Sequence, residues 1–206
     1  MKKLLFAILA SSSICATAQT FKEWQDPNIN QVNRAPMHAS FFAYESVEAS
    51  KLDKALSANY LDINGVWKFS WQKDAVNYVS DFYKTTYNDE SWGKMPVPGM
   101  WELNGYGDPQ YTNVPYAWDR QYKNNPPYVP TTDNHVGYYR HEIEVPAAWS
   151  GRQIMIHIGA ASSNMYLWIN GKYVGYSEDN KLEEEFDITP YVKPGKNLIA
   201  MQVFKW

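Results

Sequence analysis

At 206 residues the chain is long enough to bury one sizeable core, and a net charge of −3 leaves no excess of basic residues to draw a polyanion. Its one cysteine, Cys15, excludes a disulfide framework and a thiolate metal centre. Aromatic residues make up 16% of the chain, a share that serves either a sandwich core or flat faces on which sugar rings stack.

The chain opens with Met1-Lys2-Lys3, continues through an apolar run from Leu4 to Ala10, and reaches small residues at Ala16-Thr17-Ala18. This order predicts a secretory signal over residues 1–18, cleaved before Gln19, and export to the periplasm. The apolar run is too short to span a bilayer. A competing reading makes Cys15 a lipidated anchor, but Ile14 before it is bulky where such signals carry small residues. Cys15 falls inside the signal, so the mature chain is expected to have no thiol and to draw its stability from packing.

Residues 19–59, rich in Asn, Pro, Ala and Ser without a sustained period, read as an extended arm with a short helix around Glu48 to Leu56. From residue 60 to 206 the pattern is that of a β-sandwich. Trp67, Phe69 and Trp71 alternate with Lys68, Ser70 and Gln72, which predicts a strand with one buried and one wet face. Tyr139 to Val145 and Ile154 to Ile158 alternate in the same way and predict two more. Two strands flank Asn170-Gly171, a pair that tolerates positive φ and therefore suits the two-residue turn of a tight hairpin. Phe186 to Ile188 leads into a turn at Thr189-Pro190, and Pro194-Gly195 returns the chain into a last strand from Asn197 to Phe204. That strand runs to Trp206 with neither a polar tail nor a breaker, which predicts that the natural polypeptide continues into further domains.

Between Pro96 and His135 lies a long segment dense in proline and aromatic residues, among them Trp101, Tyr106, Tyr111 and Trp118. Long loops of aromatic composition are usually functional, so this one is expected to meet a ligand or another domain, with Trp101 and Trp118 lining a cleft or packing on further domains. His38, His135, His141 and His157 are scattered without metal-ligand spacing and read as structural or exposed. Glu183-Glu184-Glu185 is the densest run of carboxylates, and it reads as a solvated surface connection because neighbours on extended chain point to opposite faces.

Several of these stretches together resemble the β-galactosidases of glycoside hydrolase family two. Glu23-Trp24, Asp26-Pro27 and Asn33-Arg34 are similar to the opening arm of that family, and Asn64 to Phe69 to its first sandwich strand. Val97 to Glu102, Gly105-Tyr106 and Tyr111 to Tyr116 resemble its long loop; Gly171 to Tyr176, Glu178-Asp179 and Glu185 to Thr189 resemble its closing motifs. The resemblance implies an all-β jelly-roll sandwich that forms the N-terminal, non-catalytic part of a longer enzyme. Immunoglobulin-like domains and a TIM barrel would follow, the barrel carrying two glutamates about 5 Å apart for retaining hydrolysis. No catalytic residue is expected in this segment.

The same resemblance carries Asn113 and Asp179 into the galactose site, with Asp179 also contacting a sodium ion. A carboxylate accepts from sugar hydroxyls and ligates hard cations, while a carboxamide both donates and accepts. On the residues alone, Asn113 satisfying loop backbone and Asp179 making a turn is the favoured reading, and the resemblance reverses that preference. Sodium and magnesium are implied for the full-length enzyme and neither is expected to be held tightly by this segment; a homo-oligomeric parent is implied through the arm. Asn180 and Glu183 stand where the family often shows serine and proline. Two other readings fit the same sandwich: a free-standing carbohydrate-binding module, and the equivalent domain of a β-glucuronidase or β-mannosidase.

Overall fold

A computed structural model describes residues 22–76, 78–109, 129–179 and 182–206. Among these the structure is all-β, with nine strands and only single turns of 3₁₀ helix. The strands are β1 (Gln31–Val32), β2 (Gly65–Gln72), β3 (Gly93–Val97), β4 (Val136–Val145), β5 (Met155–Ile158), β6 (Asn164–Ile169), β7 (Lys172–Glu178), β8 (Glu184–Asp187) and β9 (Gly195–Phe204). Seven form one antiparallel sheet in the order β1-β7-β6-β9-β4-β2-β3, and β5 pairs with β8 in a second. The edges of the larger sheet are β1, two residues long, and β3, which contains Lys94 and Pro96.

The alternation read in the sequence is the alternation of packing. Met165, Leu167 and Ile169 of β6 face Ile156 of β5 and Phe186 of β8, and this inter-sheet layer forms the larger apolar cluster. The intervening Tyr166 and Trp168 face the other way, into a second cluster with Trp24, Phe82, Tyr138, Tyr176 and Phe204. The central sheet is thus covered on both faces, and all six residues of β6 are buried. Most of the aromatic content lies here: Trp24 stacks on Phe204 at 4.7 Å, and Tyr83 on Trp168 at 5.1 Å. Each such buried ring contributes about 2–3 kcal/mol through area removed from water, with a further increment from ring geometry.

Asn170 and Gly171 make the β6–β7 turn with φ of 51° and 81°, the conformation the dipeptide was expected to adopt. Asn170 does more than turn the chain. Its Nδ2 donates to the Tyr191 carbonyl at 2.9 Å, its Oδ1 accepts from Leu198 N at 2.9 Å, and its backbone N donates to Leu198 O.

Three expectations are corrected. Residues 48–56 form two separate 3₁₀ turns, Ala49–Lys51 and Lys54–Leu56, because Asp53 caps the second turn by accepting from Ala55 N and no residue of either turn is buried. Among the described residues Trp101 is core rather than cleft lining: it is 7% exposed, packs against Phe69, and donates its indole N–H to the Tyr139 hydroxyl. An added Cβ at Gly137 would sit 2.4 Å from that indole, so the strand lacks a side chain where the ring lies across it. The run Glu183-Glu184-Glu185 is not uniformly solvated, since Glu184 is fully buried beside Phe186 on the inner face of β8. Trp118 and Asn113 lie outside the described residues.

Candidate functional site

Asp179 follows directly on β7 and is exposed. Its φ is 133°, a region that suits glycine and costs an ordinary residue about 1–3 kcal/mol. Its backbone N reaches Ser163 O at 3.4 Å, opposite the start of β6. The preceding residue, Glu178, is held on both sides: its N donates to Asn30 O at 3.0 Å, and its carbonyl accepts from Arg34 Nη1 at 3.3 Å. Arg34 Nη1 also donates to Ser177 Oγ at 2.9 Å, and Arg34 Nε to Gln31 Oε1 at 2.7 Å. The strained Asp179 backbone therefore sits at a strand end tied to the segment that carries β1.

Behind this strand end lies Glu184. Neither of its carboxyl oxygens meets a donor in hydrogen-bonding geometry. Burial pushes the Glu184 carboxyl up to about 7, an effect the nearby Ser177 hydroxyl and Arg34 charge only partly offset and the Asp179 charge reinforces. Burial likewise raises Glu178, although Tyr176 donates its hydroxyl to Glu178 Oε1 at 2.6 Å. Sequence reading missed Glu184 because a charged residue inside an acidic run gives no apolar signal.

The segment then crosses to the smaller sheet. Ala35 N donates to Glu185 O at 2.8 Å, His38 Nε2 meets Glu185 Oε2 at 2.9 Å, and Ser40 Oγ donates to Glu183 Oε2 at 3.0 Å. His157 Nδ1 reaches the other Glu185 oxygen at 3.1 Å, so Glu185 joins two histidines that lie far apart in sequence. Partial burial works to raise the Glu185 carboxyl, but the hydrogen bonds to His38 and His157 outweigh it and hold it below the usual range. The Ala39 carbonyl first, and Glu185 second, raise His38. A groove of about 290 Å³ runs along this crossing between Met37 and Leu182. Of the other two histidines, His135 is buried near Asp133 and His141 stacks on Trp67 at 4.7 Å.

No three His, Cys, Asp or Glu among the described residues are arranged to hold a metal ion. Asp179 offers one carboxylate, and Glu184 is turned into the interior. What the arrangement can do by itself is accept hydrogen bonds from the hydroxyls of a neutral ligand at Asp179.

Residues 60–206 match the family model described as "Glycosyl hydrolases family 2, sugar binding domain". A curated "Beta-galactosidase" of Priestia megaterium (strain DSM 319 / IMG 1521) is 39% identical over 193 residues, which is 93% of this chain and 19% of that protein. One of Halalkalibacterium halodurans is 36% identical over 181 residues, 88% of this chain and 18% of the relative. The chain thus spans about a fifth of the length of the curated relatives it matches. Among solved structures, the "Crystal Structure of Bacteroides Uniformis beta-glucuronidase" superposes with a TM-score of 0.50 at 22% identity, covering 69% of this chain and 14% of that one, a likeness of fold alone.

Proposed function

This chain belongs to the glycosyl hydrolases of family 2, and from that premise we propose that it is the N-terminal, non-catalytic wall of a β-galactosidase. In this reading Asp179 and Asn113 accept and donate hydrogen bonds to a terminal β-galactose unit, while the bond-breaking carboxylates lie outside these 206 residues. The likeness to curated β-galactosidases along nearly the whole chain carries the proposal. Among the described residues Glu178 and Glu184 stand near Asp179, and Arg34 donates to Gln31, Ser177 and Glu178.

Hydrogen bonds to a charged acceptor are worth about 1.5–3 kcal/mol, so Asp179→Ala in the full-length protein should lower kcat/KM for an aryl β-galactoside by about 10- to 100-fold. Unchanged kcat/KM with a lowered melting temperature would contradict the assignment. A glucuronide cleaved faster than the galactoside would transfer the sugar to the other family branch. Micromolar galactoside binding by the 206-residue chain alone, measured by calorimetry, would favour a free-standing binding module instead.

Export and assembly complete the proposal. The signal-like order of residues 1–18 supports cleavage before Gln19 and a periplasmic mature protein, which N-terminal sequencing tests. A homo-oligomeric parent using the arm is tested by its hydrodynamic mass.

A further inference from the structure

We propose that Arg34 is a positioning residue for Asp179, and that residues 30–40 fix where the sugar-contacting carboxylate stands. The inference rests on the reading of Asp179 as a galactose contact and names what holds it there.

The geometry converges on the two ends of the β7–β8 connection. At the β7 end, the residue before Asp179 has both backbone polar groups taken by this segment: Glu178 N by Asn30 O, and Glu178 O by Arg34 Nη1. The same Nη1 donates to the Ser177 hydroxyl, on a residue with no exposed surface, and Nε donates to Gln31 within the segment itself. At the β8 end, Ala35 N bonds Glu185 O, His38 meets the Glu185 carboxylate, and Ser40 donates to Glu183. Both ends are therefore pinned to one short stretch of chain, separated from them by more than 140 residues.

Such pinning has a specific use. A non-glycine residue at φ of 133° returns to an easier conformation unless its surroundings over-determine it. The Asp179 N–H makes a long contact to Ser163 O at 3.4 Å, and Glu178 beside it adds a further hold. Arg34 supplies it with a planar fork whose donors reach three acceptors in fixed directions, a geometry a lysine ammonium does not reproduce. Loosening the fork lets the carboxylate swing, and a displacement of about 1 Å is enough to lose most of a hydrogen bond's directionality.

The test uses the full-length protein, an aryl β-galactoside and a double-mutant cycle. Arg34→Gln should raise KM about tenfold with a smaller fall in kcat. In an Asp179→Asn background the same substitution should change kcat/KM by no more than about twofold, because the carboxylate it positions is gone. An equal loss in both backgrounds would show that Arg34 acts on the fold at large and overturn the proposal. Ser177→Ala removes one acceptor while leaving the charge in place, and it keeps the cycle measurable if Arg34→Gln fails to fold; a smaller rise in KM, again confined to the Asp179 parent, is expected. Parental KM in both the Arg34 and Ser177 variants, with Asp179→Asn impaired, would overturn the clamp alone. Parental kinetics in Asp179→Asn would remove the galactose contact and the clamp together.

Discussion

Glu184 makes the stability of the sandwich depend on pH in a direction opposite to that of most carboxylates. Its folded pKa of about 7 lies above the ordinary value of 4.5 because burial penalises the charged form. The folded state therefore binds this proton more tightly than the unfolded chain does. Its stabilising contribution is complete below pH 4.5 and is lost as pH rises through 7. The difference between the two values corresponds to about 3 kcal/mol once the group is fully ionised in both states. Glu184→Gln keeps the shape and removes the titration. The variant should match the parent near pH 4.5 and exceed it by about 3 kcal/mol at pH 8 to 8.5, a shift of roughly 6–12 °C in melting temperature for a unit of this size. Denaturant or thermal melts from pH 4 to 8.5 measure this. A difference that stays constant across the range, or grows toward acid, would refute the claim that burial of this carboxyl is the cause.

Asn170→Ala should cost about 2–3 kcal/mol, since it strips side-chain hydrogen bonds to Tyr191 and Leu198 and strains a positive φ; Asn170→Gly keeps the turn and should lose less, as denaturant midpoints will show. Trp24→Ala removes the ring stacked on Phe204 and should cost about 3–5 kcal/mol; limited proteolysis ahead of β1 should then quicken. His38 bound to Glu185 should titrate above its ordinary value by NMR, so the tie holds once Glu185 is ionised and weakens as pH rises through the His38 value. Glu185→Gln should return His38 toward its usual value.

The legible part of the fold was whatever a two-residue period or a turn dipeptide could write. β2, β4, β5 and the β6–β7 hairpin fall where alternation and Asn170-Gly171 put them. β8 escaped because the inward residue at its start is Glu184, a charge in a place where the pattern asks for an apolar side chain. β3 escaped because Pro96 sits inside it, which is tolerated only because β3 is an edge. β1 has two residues and no period at all. Within the site, Asp179 was legible only through family resemblance. The hold of Arg34 on Ser177 and Glu178 spans more than 140 residues, and nothing local in either stretch announces it. Asn113 lies outside the described residues.

The rims of the larger sheet bear on how this protein behaves when crowded. A ladder recruits a newcomer by offering a long row of open amides and carbonyls. One rim here is finished by a strand of two residues, and the other by a strand in which a proline interrupts the donors and a lysine adds charge. Among the described residues neither rim offers the long open row that strand addition needs, and a concentrated solution should stay free of fibrillar growth seeded from this sheet.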